Sequence, residues 1–215
     1  MIFTFEKTAA CDIDAQYAFT DYCPAELPVP HAVDIIDQLN QQATFAKYRV
    51  GSKDAHSPYA NWLSTPDKPV FTPILADNMD CHWPAHAITG TKGFELIAGL
   101  PPLSAYDFFV WKGIEPDMHP YGACYHDFKA HLSTGLIEFL QTRGVSCVIL
   151  GGLATEYCVK VTVLQLLSAG FSVIVNQAAC RGLSEPTILS AWQDMQNAGA
   201  KLIPHAGALA DLLIQ

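Results

Sequence analysis

Residues 139–175 read FLQTRGVSCVILGGLATEYCVKVTVLQLLSAGFSVIV, and this stretch decides the fold. An amphipathic segment closes on Gly144, the apolar run Val145–Leu150 follows at once, and the pattern repeats with LLSAG at 166–170 before FSVIV at 171–175. A third copy, MQNAG at 195–199, precedes AKLI at 200–203. Glycine just past a helix accepts the left-handed backbone that ends it, and a short β-branched run beside it reads as a buried strand. The segment therefore predicts helices over residues 128–143, 156–169 and 184–198 alternating with strands over 146–151, 171–176 and 201–203. Such βα alternation implies a mainly parallel sheet with helices on both faces.

Working outward, the N-terminal half starts in the same grammar. A strand is expected over Thr8–Asp14, a helix over His31–Gln42 after a proline-rich loop, and strands over Arg49–Lys53 and 107–112. Residues 57–102 have little periodicity but contain Trp62, Phe71, Trp83 and Phe94, so they read as a long ordered loop, the kind that carries function. The 215 residues suit one domain spanning 1–215. Twelve Lys and Arg against 21 Asp and Glu give a net charge of −9. No basic run exists to hold nucleic acid or an anionic membrane, so the expected partner is a small-molecule substrate, with a homo-oligomer left open. Glu6 and Asp12 interrupt any apolar leader, and with no 18-residue apolar stretch the reading is a cytoplasmic protein. Seven cysteines without a C-x-x-C pair read as thiols rather than a disulfide framework.

In an open parallel sheet, reactive groups gather beyond the carboxyl ends of the strands. There the sequence delivers Asp14, Asp54 with His56, Lys112, and the turn Gly151-Gly152-Leu153-Ala154-Thr155 with Cys158 beyond it. Thr155 as N-cap would set Cys158 in the first helical turn, where the positive helix end and Lys112 favour thiolate. The plainer alternative is a small buried residue, the usual fate of a free cysteine and the reading for Cys11, Cys147 and Cys180. Asp14 suits a general base, or else a cap on its local turn. Asp54 and His56, two apart on an extended strand end, face the same way. With His86, they form a set suited to a divalent metal, or to loop hydrogen bonds. His31, His119, His126, His131 and His205 read as surface or satisfied core residues.

Taken in order, DAQYAF (14–19), KDAHSP (53–58), WPAHAITGTKG (83–93), WKG (111–113) and GGLATEYCVKVTVLQLLSAG (151–170) resemble the nicotinamidases of the isochorismatase-like cysteine hydrolases. The resemblance implies an isochorismatase-like, Rossmann-like three-layer sandwich that hydrolyses nicotinamide, or pyrazinamide, in NAD salvage. It implies a triad of Asp14, Lys112 and Cys158, and an oxyanion hole from the Ala154 and Cys158 backbone with a cis peptide between Leu153 and Ala154. It further implies a divalent metal (zinc, iron or manganese) on Asp54, His56 and His86, with Phe19 and Trp83 flanking the ring and Tyr121 closing the pocket. One departure stands out. Nicotinamidases carry a further histidine shortly after the Asp-x-His pair, and here residues 57–62 read SPYANW. Asn61, water or His82 are the candidates for its place. The rival readings are a metal-free sister hydrolase acting on another small amide or a vinyl ether, and a catalytically silent binding protein on the same scaffold.

Overall fold

The computed structural model describes residues 2–214. Its main sheet has six parallel strands: β2 (Thr8–Ile13), β3 (Tyr48–Asp54), β4 (Phe108–Lys112), β5 (Cys147–Leu153), β6 (Ser172–Arg181) and β7 (Lys201–Ile203), in the order β4-β3-β2-β5-β6-β7. A second, two-stranded sheet pairs β1 (Phe3–Thr4) with β8 (Leu213–Ile214). The helices are α1 (Ile36–Ala43), α2 (Leu136–Thr142), α3 (Lys160–Ser168) and α4 (Glu185–Asn197).

Side chains alternate across the strands, and the two faces of β5 show the consequence. Val148 and Leu150 join one cluster with Leu140 of α2, Val163 and Leu166 of α3 and Met195 of α4. Cys147 and Ile149 point into another with Phe3 and Leu209, and Leu39 of α1 packs with Leu153 in a third. Every residue of β2 is buried, as expected of a strand covered on both faces. Three layers result, with α2, α3 and α4 on one side and α1 on the other, as the βα alternation implied.

Local signals won where backbone geometry was the whole question. Gly144, Gly170 and Gly199 sit at φ 68°, 90° and 109°, the left-handed helix ends expected of them. Elsewhere the boundaries moved. The helix expected over 128–143 begins only at Leu136, because the Asp127 carboxylate accepts the His131 and Leu132 N–H groups at 2.9 and 2.8 Å and holds a loop instead. The helix expected from His31 opens as a 3₁₀ turn over Ala32–Ile35 before α1. Strand β6 runs to Arg181, so Cys180 lies within it rather than after it, paired with Gly152. The long segment after β3 is ordered as expected: Ala60, Trp62, Met79 and Trp83 form their own buried cluster. Phe71 is the exception, exposed but with its ring edge-on to Trp83 at 5.0 Å.

This topology places a crevice. Successive connections run outward to β3 and β4 on one side of β2, and to β6 and β7 on the other side of β5. The strand order therefore reverses between β2 and β5, the point where open α/β sheets bind ligands.

Candidate active site

Four strand ends meet at that switch point. Asp14 follows β2 directly, at a left-handed φ of 47°. Asp54 ends β3 and Lys112 ends β4, with their Cα atoms paired in register. Cys158 lies in the turn that leaves β5. Lys112 is fully buried, and its ammonium is the hub: Nζ lies 2.9 Å from Asp14 Oδ2, donates to Asp54 Oδ1, and stands 3.6 Å from Cys158 Sγ. Ser52 Oγ donates to Asp14 Oδ1 at 2.7 Å and sets the carboxylate's rotation. The structure thus brings Asp14, Lys112 and Cys158 together.

Their electrostatics follow from one cation between two carboxylates. Burial alone would lower the Lys112 pKa, but Asp14 and Asp54 outweigh it and raise it well above the ordinary lysine value. Burial pushes Asp14 upward despite Lys112, with Asp54 adding to the rise. Burial likewise drives Cys158 well above the ordinary thiol range, with Lys112 opposing and Asp14 and Asp54 reinforcing. Burial therefore outweighs the thiolate-favouring influence expected of the helix end and of Lys112. A buried thiol next to two carboxylates keeps its proton, and the base that removes it has to be adjacent.

The turn itself departs from the expected cap. Residues Thr155–Val159 form a π turn, with Tyr157 and Val159 N–H both donating to the Ala154 carbonyl, at 3.1 and 3.2 Å. Ala154 takes the N-cap position, and the buried Thr155 hydroxyl has no hydrogen-bond partner, so Thr155 is not the cap. The Leu153–Ala154 peptide is cis.

Beside the hub, His56, His86 and His119 bring ring nitrogens within 4.8 Å of one another, all three side chains buried. Nδ1 of His56 donates to the Gly113 carbonyl at 3.1 Å, and Nδ1 of His86 to the Pro84 carbonyl at 2.7 Å. A carbonyl can only accept, so both rings carry their proton on Nδ1 and keep an Nε2 lone pair for a ligand. Those Nε2 atoms lie 3.5 and 3.9 Å from the Asp54 carboxylate oxygens. Burial, with His56 adding to it, depresses the His86 pKa to about 3, and burial pushes His119 well below its ordinary value, so both rings are neutral. His119 was read as a satisfied or surface residue, and that reading is corrected. No sequence spacing ties it to His56 or His86; the loop after β4 carries it there. His82 does not join them: its Nδ1 faces the Trp62 and Leu63 carbonyls at 3.1 and 3.2 Å. Asn61 is exposed.

Phe19, Trp83 and Tyr121 all line the cavity that opens onto Cys158, Asp54 and His86. Trp83 Nε1 donates to the Tyr121 hydroxyl at 3.0 Å, which donates to Asp80 at 2.7 Å, so the wall is held by a relay. Sequence reading missed three supports: Asp80, Ser52 and Gln16. The Gln16 amide clamps the end of β3, accepting from Asp54 N–H at 2.8 Å and donating to the Asp54 carbonyl at 2.9 Å. Gln16 stood in the quoted DAQYAF segment, whereas nothing in the sequence singles out Ser52 or Asp80.

Residues 8–207 match the isochorismatase domain family. A nicotinamidase from Acinetobacter baylyi is 30% identical over 203 residues, covering 92% of each chain. A nicotinamidase and pyrazinamidase structure from Acinetobacter baumanii is 30% identical, superposes with a TM-score of 0.85, and covers 95% of this chain and 98% of its own. A pyrazinamidase of Pyrococcus horikoshii in complex with zinc is 27% identical with a TM-score of 0.74, covering 92% and 98%. With a six-stranded parallel sheet and a cysteine set beyond its carboxyl edge, the chain belongs to the isochorismatase family. Within it, the chain is an amide hydrolase.

Proposed function

We propose that this hydrolase cleaves nicotinamide to nicotinate and ammonia, through a thioester on Cys158, as a step of NAD salvage. The observation that carries the reading is the fully buried ammonium of Lys112, which contacts Asp14 and lies 3.6 Å from the Cys158 sulfur. That placement gives each group one role. Asp14, whose affinity for a proton is raised by burial, takes the proton from Cys158 Sγ. Lys112 balances the negative charge that forms on sulfur, and the sulfur attacks the carboxamide carbon. Backbone N–H groups of Ala154 and Cys158 are the proposed donors to the oxyanion. The proton on Asp14 passes to the departing nitrogen, and ammonia leaves as the acyl group stays on sulfur. Water then attacks the thioester, Asp14 takes its proton and returns it to Sγ, and nicotinate departs.

The histidine cluster suits a divalent metal. The Nε2 atom of His56 is buried without a partner, and the tautomers of His56 and His86 leave lone pairs free for coordination. Asp54, His56 and His86 are the proposed ligands, for zinc, iron or manganese. When bound, such an ion supplies a Lewis acid for the pyridine nitrogen and so orients the ring. Phe19 and Trp83 flank that ring, and Tyr121 closes the pocket. The test is release of ammonia from nicotinamide by the purified, metal-loaded protein. Release by the parent and none by Cys158→Ala supports the reading; no release by the parent overturns it.

A further inference from the structure

Asp54, His56 and His86 account for one carboxylate and two imidazoles, and the sequence has no histidine at 57–62 to add a third. The structure puts one there from elsewhere. His119 lies seven residues beyond Lys112, on the loop after β4, and is only 4% exposed. Its backbone is pinned, N–H donating to the Asn78 carbonyl at 2.8 Å. Its ring stacks on His56, centroids 5.2 Å apart and planes inclined by 21°, so the two imidazoles present their edges in nearly parallel planes. A ring nitrogen of His119 lies within 4.8 Å of those of both His56 and His86.

What the ring lacks is as informative. Neither Nδ1 nor Nε2 of His119 has a hydrogen-bond partner. A buried imidazole that satisfies neither nitrogen loses water's hydrogen bonds with nothing in return, and such groups in native structures call for an explanation. His82, also buried, shows the ordinary alternative, with its Nδ1 placed against two carbonyls. Packing alone does not explain the choice of residue. The Trp62 and Trp83 rings against His119, at 4.4 and 5.9 Å, would be met as well or better by phenylalanine.

We propose that His119 is a direct ligand of the divalent metal held by Asp54, His56 and His86, making the set one carboxylate and three imidazoles. The inference rests on the metal centre proposed above and deepens it. Three imidazoles favour zinc, iron or copper over a hard, oxygen-seeking ion such as magnesium, so the set also narrows the class of metal.

The test measures metal binding itself. Zinc affinity of the whole protein is determined by competition with a chromogenic chelator for the parent, His119→Phe, His119→Asn and His56→Ala. The visible spectrum of the cobalt-substituted proteins is recorded alongside. Loss of a group that merely orients a ligand costs roughly 10–100-fold in affinity, so loss of His119 as a ligand should weaken zinc on the order of 100-fold or more and change the cobalt bands. X-ray absorption at the zinc edge of the unmutated protein should count three imidazoles, a result independent of whether any variant folds. Zinc bound to His119→Phe as tightly as to the parent, with an unchanged cobalt spectrum, or two imidazoles at the zinc edge, overturns the proposal and leaves His119 as a wall of the pocket. The underlying centre fails separately, and takes this proposal with it, if the parent binds no zinc or if His56→Ala binds it as tightly as the parent.

Discussion

Asp54 and Lys112 are register partners at the ends of adjacent parallel strands, and the Lys112 ammonium donates to the Asp54 carboxylate across that pair. The pairing joins two halves of the site, since Lys112 also reaches Asp14 and Cys158 while Asp54 lies beside Nε2 of His56 and His86. Charge is shared along this line, so each half depends on the other.

Lys112→Met tests the shared charge. In the parent, burial acts to raise Asp54, but Lys112 and His56 hold it well below the usual carboxylate range. That contribution is present above the unfolded-chain value of about 4 and is lost as pH falls through the folded value. Without the ammonium, burial and mutual repulsion raise both Asp14 and Asp54 above their unfolded values. The metal-free variant should therefore lose about 3–5 kcal/mol at neutral pH and recover part of it on acidification. Thermal unfolding of both proteins between about pH 8 and pH 5 checks this; a deficit that grows as pH falls would refute it.

Cys158→Ala should leave the fold intact and lower ammonia release by at least about 1000-fold, as removal of one member of a catalytic unit does. Cys11→Ala, within β2, should keep most of the activity. Rates for Cys158→Ala within about tenfold of the parent would place the nucleophile elsewhere. Circular dichroism of each variant establishes the fold.

His86→Ala should release metal and chiefly raise KM for nicotinamide, because the ion would hold the ring rather than the reacting carbonyl. Metal analysis combined with steady-state kinetics is the measurement. Full activity in metal-free parent protein would contradict the expectation.

Benzamide matches nicotinamide in shape but has no ring nitrogen. A site built around a polar partner rejects an analogue lacking it by factors on the order of 10⁴, so benzamide should be a very poor substrate, while pyrazinamide, which keeps the nitrogen, should be hydrolysed. Comparable kcat/KM for benzamide and nicotinamide would remove the metal from substrate binding.

Gly152→Ala should be severely destabilising. At φ 143° a Cβ there would lie 2.0 Å from the Ile13 carbonyl oxygen, backbone of the neighbouring strand that cannot yield. A loss beyond about 4 kcal/mol, or failure to accumulate as folded protein, is expected, read as melting temperature and soluble yield; a melting temperature within a degree or two of the parent's would show that β2 and β5 can separate locally.

By itself the sequence determined what local rules govern. Helix ends at Gly144, Gly170 and Gly199 need only a left-handed residue, and buried strands such as β5 need only an apolar run of the right length. The same locality made Asp14, Asp54, Lys112 and Cys158 legible, because in a parallel sheet the residue ending each strand is delivered to one edge. Tertiary structure decided what depends on distance in space. The Asp127 carboxylate stole the first turn expected of α2. Burial, invisible in a sequence, outweighs the pull of Lys112 and raises the Cys158 thiol well above its ordinary range. His119 gained its neighbours only when the loop after β4 folded back over His56, since a loop's path is set by the packing of residues such as Trp62 and Trp83 rather than by any period in its own sequence.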